Sequence, residues 1–525
     1  MSKSPYQLSI GIIAFLLMIK ASFMAFYMTP PADIPDESGH YAYVNDISNG
    51  DFFPILGRAT IPNDLWREAT SDQNQRENYI AQHPPLYYTV AAVPLAIGKY
   101  FGAAKPTLAK LPRLISAISL GLLVLVLFHT QVAAGLSERW STVTSPSIAF
   151  VPMVSHLSSG ITNDIFLFFM CALATLYFVR FIHSQNANSA YVCAFWLAMA
   201  GATKMTAWIL VIALVVIMLF ELRGTLKIWL LKSMAIGFIA ASAPIWWVLR
   251  NIHHHGDPLK ISLVPNTGKV SHYPLTQLLT EQPLVDWLFH HFYGLIGFSG
   301  YCQNSALIHL CTGTRITRIE GFPIFFFSLA TGFCALALAA FAWRTLVRKQ
   351  GSGPSVVQSA REGFVSFSSA YLPTALVRSV LAALGLGVFA LVASILQRTP
   401  DAIGLIALLS MAALFAIPFW SAMSLTHESD QGERLMFYST AILAATIFLI
   451  FNQAHKAYLI TGMLKGVQGR YLYPFLPLLV ATGGYVLHRW GPLRFVALVA
   501  VVTLIYNDMA AFIEQIAPFY LLVRV

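Results

Sequence analysis

Apolar runs close to twenty residues long recur along nearly the whole of this 525-residue chain. A helix rises 1.5 Å per residue, so a run of that length matches the ~30 Å hydrocarbon core of a bilayer. In lipid every backbone N–H and C=O must be satisfied within the element itself, so such runs fold as helices and not as open sheets. The chain therefore reads as an all-α polytopic membrane protein. Hydrophobic residues make up 57% of it and charged ones 11%, and only two polar loops, 30–83 and 250–320, are long enough to hold a core of their own.

The expected spans are 8–29, 113–132, 141–158, 163–182, 190–204, 205–221, 228–249, 321–343, 374–396, 402–424, 435–452, 473–489 and 493–513, thirteen in all. The first resembles the apolar region of a signal peptide. Lys20 lies inside it and no small-x-small cleavage site follows, so it is expected to be retained as a first helix. The net charge of +10 is ordinary for such a chain, because cytoplasmic loops collect Lys and Arg. Those basic residues are scattered between spans and not gathered on one face, which argues against nucleic acid as a partner. Cys171, Cys193 and Cys334 fall within apolar spans as packing residues, whereas Cys302 and Cys311 share a polar loop and are candidates for a disulfide if that loop faces an oxidising compartment.

The stretch 84–101 admits two topologies. It is apolar enough to cross, yet it contains Pro84, Pro85, Pro94 and Gly98, and is followed by Lys99, Lys105, Lys110 and Arg113. If it lies at the interface, Arg139, Arg180, Arg223, Lys227, Lys232, Arg344, Arg348, Lys349, Arg361, Arg489 and Arg494 all fall on one side, as the positive-inside rule asks. That arrangement is the favoured one. It puts the Asp36 loop, Asn163-Asp164, the 250–320 loop and the 466–470 loop together on the opposite face. The expected organisation is a catalytic transmembrane module over 1–345 with outer loops 30–112 and 250–320, a Ser/Gly-rich cytoplasmic linker over 346–373, and C-terminal transmembrane helices over 374–525.

Acidic residues are scarce, so Pro35-Asp36-Glu37-Ser38-Gly39-His40 stands out directly after the first span. Pro35 and the acids suit a helix start, and Tyr41, Val44 and Ile47 give that helix an apolar stripe for a membrane surface. Two readings are open: the carboxylates complement the helix N-terminus, or one of them draws a proton from an acceptor hydroxyl, with His40 one turn away. Four further groups fall on the same proposed face. His83 precedes Pro84-Pro85-Leu86-Tyr87-Tyr88, as an interfacial anchor or a ligand contact. Asn163-Asp164 opens a span, as a cap or as a second acid. Arg250-Asn251 closes a span ahead of Gly256-Asp257-Pro258, and Gln468-Gly469-Arg470-Tyr471 opens a late one. Arginine suits bidentate capture of a phosphate, though many arginines at span ends only anchor helices. Lys204 interrupts a long uncharged stretch and either sits in a turn between spans or meets an anion. His253-His254-His255 lacks evident partner ligands for a metal. Acids for proton abstraction and cations for a phosphate leaving group are together what sugar transfer from a lipid phosphate requires.

In their order, these motifs resemble the GT-C superfamily of integral-membrane glycosyltransferases. More narrowly they resemble a bacterial family of GT-C-like polytopic proteins, most without an assigned function. The resemblance runs over nearly the whole chain. It implies an inverting transfer from a polyprenyl-phosphate-linked sugar to a glycan or lipid acceptor, in a cavity at the outer face of a bacterial inner membrane. It implies Asp36 as the base, with Glu37 and Asp164 beside it. Lys204, Arg250 and Arg470 would hold the donor phosphate, and His40, His83, Asn163, Asn251, Gln468 and Tyr471 would line the substrates. Some members of the superfamily need a divalent metal and others none, and the residues leave this open. A polysaccharide polymerase is the alternative of related chemistry. A lipid or glycan flippase is the alternative of another class, and it would be expected to place ionisable groups and broken helices at the bilayer midplane.

Overall fold

A computed structural model of the chain describes residues 4–31, 33–62, 76–222, 224–260, 291–294, 431–461 and 468–518. The chain divides into two compact units, 1–319 with 453–525, and 320–452. The expected spans 321–343, 374–396 and 402–424, the linker and Cys302, Cys311 and Cys334 lie outside the described residues.

The described structure is all-α apart from one two-residue antiparallel pair, Thr60–Ile61 (β1) with Arg76–Glu77 (β2). Six helical stretches among the described residues are long and apolar enough to cross a membrane: Pro5–Met28, Lys105–Ala133, Asn163–Ser184, Leu226–His255, Arg434–Leu459 and Leu493–Glu514. The first holds α1 (Pro5–Phe23), begun by Ser4, whose hydroxyl accepts from the Tyr6 amide, and by Pro5 in the first turn. Next come α2 (Glu37–Ser48), α3 (Leu86–Tyr100), the short α4 (Lys105–Leu108) and α5 (Arg113–Ala133). The expected span 141–158 is instead broken into α6 (Glu138–Thr144), a 3-10 segment Ser145–Phe150 and α7 (Pro152–Leu157). Pro146 and Pro152 remove amide donors there, and a straight helix cannot pass through both. Then follow α8 (Asn163–Ser184), α9 (Ala187–Gly201), α10 (Trp208–Glu221) and α11 (Leu226–His255). After the undescribed residues come α12 (Gln431–Thr461), α13 (Leu476–Arg489) and α14 (Leu493–Ala511).

The core of the larger unit is built on α5 and α8. Against α5 pack α1, α8 and α13, and α9 packs on α8 and α11. Leu120, Leu123, Val124, Leu127, Phe128, Phe168 and Ala172 are buried where these helices meet. Lys20 and Asp508 form an ion pair between α1 and α14, which spares each a charge left alone among apolar neighbours.

Helix direction follows from the end contacts. At one end of the α1–α5 pair, the Arg113 guanidinium donates to the Ala25 and Thr29 carbonyls; at the other, Gln7 donates to Glu138. The two helices are therefore antiparallel, and the chain between them leaves from and returns to the same end. Only α3 within that stretch is long and apolar, so one crossing there would need a second that does not exist among its described residues. Instead α3 lies alongside α2 in the same direction. Tyr88 meets His40 near their starts, and Lys99 donates to Asn45, Ser48 and Asn49 near their ends. Lys99 and Arg113, read from sequence as loop charges, are thus spent on contacts around α2.

Candidate active site

Four charged side chains meet at the end of the bundle to which the α2–α3 arm is attached. Asp36 precedes α2 and Asp164 sits in the first turn of α8. Lys204 lies in the turn between α9 and α10, and Arg470 in a 3-10 turn, Gly469–Phe475, that leads into α13. The turn at Lys204 is why its charge is tolerated: a break between two helices brings its ammonium to the acid and not to lipid. Lys204 Nζ is 2.5 Å from Asp164 Oδ1 and 5.7 Å from the centre of the Tyr471 ring. Arg470 reaches both acids, with NH2 3.3 Å from Asp36 Oδ2 and NH1 3.7 Å from Asp164 Oδ2, while its Nε donates to Gln468 Oε1 at 2.7 Å.

Asp36 has a left-handed backbone, φ 64°. Aspartate tolerates that region better than most residues, at a local cost that the surroundings must hold. They do so through its neighbour. Glu37 points away from the cluster into a bidentate pair with Arg113, with Nε–Oε1 and NH2–Oε2 both at 2.8 Å, and Oε1 also accepts from the Ile161 amide. Arg113 spends its other donors on the carbonyls of Ala25, Thr29 and Pro30. Gly160 completes the fit: a Cβ there would lie 2.1 Å from Ile34 Cγ1, so only glycine lets the two loops touch. Glu37, expected beside Asp36 in the catalytic group, is instead turned into a buried strut. Its side chain is 3% exposed, against 29% for Asp36, so of the adjacent pair Asp36 alone is open to a ligand.

Burial pushes the Asp36 carboxyl up, but the charge of Arg470, the hydrogen bond from the Tyr79 hydroxyl at 2.6 Å and the charge of Lys204 outweigh it. The group is held below the ordinary carboxylate range and is ionised at neutral pH. Tyr79 is pushed up by burial and by Asp36, so it keeps its proton and remains the donor.

Behind the acids lies a neutral network. The Tyr88 hydroxyl accepts from Asn163 Nδ2 at 3.1 Å and is 2.9 Å from His40 Nδ1. Tyr43 stacks on Tyr88 with ring centres 4.0 Å apart and donates to the His83 carbonyl. His83 Nδ1 and Asn163 Oδ1 are buried without a hydrogen-bond partner among the described residues, an unfavourable state that a ligand hydroxyl or a water would relieve.

Burial lowers the His40 pKa to about 4, against the pull of Asp36. The unfolded imidazole, near 6.5, binds protons that the folded one refuses, so stability falls as the pH drops from 6.5 towards 4. The difference is worth about 3 kcal/mol when fully developed. We expect the midpoint of thermal unfolding in detergent to fall over that interval more in the wild type than in His40→Asn. Parallel curves for the two proteins would overturn this.

Sequence comparison gives the family. The profile of the family described as "Predicted membrane protein (DUF2142)" matches residues 57–479, well over half of the chain. The chain belongs to this family. No curated protein sequence matches this DUF2142 protein. Among solved structures it is similar to the Saccharomyces cerevisiae protein O-mannosyltransferase Pmt1–Pmt2 complex bound to its sugar donor, with 17% identity and a TM-score of 0.36 over 50% of this chain. The match spans only 35% of that relative's length. It is also similar to ArnT from Cupriavidus metallidurans in the apo state, with 16% identity and a TM-score of 0.33 over 91% of this chain and 76% of that one.

Of the residues singled out from sequence, the DUF2142 fold brings together Asp36, His40, His83, Asn163, Asp164, Lys204, Gln468, Arg470 and Tyr471. Two others stand apart from this cluster. Arg250 donates to the Phe53 and Pro54 carbonyls at 2.9 Å each and lies over the Trp247 ring, and Asn251 donates to the Pro258 carbonyl. They hold loops in place and are not gathered with the phosphate-binding cations expected of them. Tyr79, Tyr88 and Arg113 were missed. Tyr88 sits in a motif already noted for its aromatics, but nothing in the sequence around Tyr79 links it to Asp36.

Proposed function

We propose that this chain is an inverting glycosyltransferase of GT-C type, moving a sugar from a polyprenyl-phosphate carrier to a hydroxyl of a glycan or lipid at the outer face of the membrane. The observation that carries this reading is the meeting of one partly exposed carboxylate, Asp36, with two cations, Arg470 and Lys204, at a single end of a helical bundle. Asp36 takes the proton of the acceptor hydroxyl as its oxygen forms the new bond to the anomeric carbon. The bond from that carbon to the carrier phosphate breaks on the opposite side, and its electron pair leaves on the phosphate oxygen. Arg470 and Lys204 stabilise the charge that gathers there, with donors already in place before the reaction. Asp164 keeps both cations at the site. The open Asn163 Oδ1 and His83 Nδ1 suit hydroxyls of the bound sugar or acceptor.

Asp36 and Asp164 are bridged by cations, and among the described residues no three His, Cys, Asp or Glu side chains are grouped as a metal's ligand set. The outward assignment is supported by charge. Arg139 and Arg489 follow α5 and α13 at the end far from Asp36, where His488 lies beside Gly135. Arg180 and Arg494 belong to that end too, near the finish of α8 and the start of α14.

The test is transfer by the full chain in proteoliposomes, supplied with a panel of polyprenyl-phosphate sugars and hydroxyl acceptors. Arg470→Ala is expected to raise KM for the donor by about 10–100-fold, the worth of one charge-assisted contact. No transfer by the wild type from any donor of the panel would sink the reading, and an unchanged donor KM in the variant would remove Arg470 from the phosphate site.

A further inference from the structure

Two arginines in this region hold carboxylates, and they hold them differently. Arg113 meets Glu37 through two contacts of 2.8 Å and fills its remaining donors with three carbonyls. Among the described residues Arg470 is anchored at Nε, by Gln468. Its two terminal nitrogens, the edge that would grip a phosphate, are divided between acids at 3.3 Å and 3.7 Å, the second beyond hydrogen-bond range. Asp164 depends less on Arg470 for its charge, because Lys204 already bonds it at 2.5 Å. Asp36 does depend on it: the other groups facing Asp36 are the Tyr79 hydroxyl, neutral His40 and Lys204, whose ammonium is bonded to Asp164.

We propose that Arg470 is an exchangeable counter-charge: a phosphate arriving at the site takes over its terminal nitrogens, and Asp36, released from its partner, becomes the base that accepts the incoming hydroxyl's proton. Before the anion arrives, Asp36 is a weak base because its negative charge is matched. After the exchange the guanidinium's charge is matched by phosphate, and a second anion stands near the carboxylate. Both changes favour taking up a proton. The site therefore gains its basicity from the donor and has little of it without one. This inference rests on the phosphate-site reading given above, but it concerns the order of events within that site.

The experiment reads Asp36 directly, without sugar transfer. Dicyclohexylcarbodiimide attacks carboxyl groups in their protonated form, and peptide mass spectrometry places the adduct. The full chain in lipid nanodiscs is labelled between pH 4 and 8, alone, with farnesol, or with farnesyl phosphate, and binding is followed separately by thermal stabilisation. Without ligand Asp36 is expected to label little even at pH 4, and farnesyl phosphate should raise its midpoint by about one to three pH units, the usual effect of losing a close opposite charge. Farnesol should move it little. In Arg470→Gln the midpoint should already be high and farnesyl phosphate should shift it much less than in the wild type. Stabilisation by farnesyl phosphate with an unmoved Asp36 midpoint would overturn the exchange while leaving the phosphate site standing. An equal upward shift in Arg470→Gln would also overturn it, because Arg470 would not be the charge exchanged. Neither stabilisation nor shift in the wild type would overturn the exchange and the phosphate site together.

Discussion

Asp36→Asn is expected to lower the rate of sugar transfer by about 10²–10⁴-fold, the usual contribution of a positioned general base. The substitution suits the question because little else changes. Asparagine is the other residue that readily adopts a left-handed backbone, so the turn at φ 64° survives. Its carbonyl oxygen still accepts from Tyr79, and the buried Arg470 keeps Asp164 as a counter-charge when its contact at 3.3 Å with residue 36 loses its charge. Thermal unfolding should therefore stay near wild type while turnover collapses. Full activity in this variant would remove Asp36 as the base. Adjacent acids can substitute for one another in principle, but not here, because Glu37 faces Arg113.

The largest effect on stability is expected from Arg113→Ala. The variant strips five hydrogen bonds from a fully buried site and leaves the Glu37 carboxylate without its counter-charge. Removing one partner of a buried ion pair costs about 3–5 kcal/mol. The loss should appear as a clear fall in the thermal unfolding midpoint and in the yield of monodisperse protein. Adding Glu37→Gln to Arg113→Ala should recover part of it, since the stranded charge is then gone while the three carbonyls still lack donors. If the single variant unfolds at the wild-type temperature, the strut is not holding the Asp36 turn.

Among the described residues hydropathy placed helices such as Asn163–Ser184, a run with no backbone interruption and one length scale to meet. It failed at 141–158, where apolar content continues across Pro146 and Pro152 but the helix does not. Counting side chains says nothing about missing amide donors. At the site, the residue types were legible and their division of labour was not. Asp36 and Glu37 are neighbours of nearly identical chemistry, yet a turn at φ 64° sends one to the cation cluster and the other to Arg113. That partner begins a helix and reads in the sequence as one more basic residue at a membrane boundary. Arg250 illustrates the converse: an arginine at a span end that looks suited to phosphate spends a nitrogen on two loop carbonyls.

The four charges of the cluster come from chain positions 36, 164, 204 and 470. A ribosome delivers them in that order, so the corner around Asp36 can be braced once residues 113 and 161 have emerged, and Asp164 can find Lys204 while more than half of the chain is still unmade. Arg470 comes last by a wide margin. A nascent or truncated chain can thus hold the braced corner and the Asp164–Lys204 pair without possessing the complete cluster.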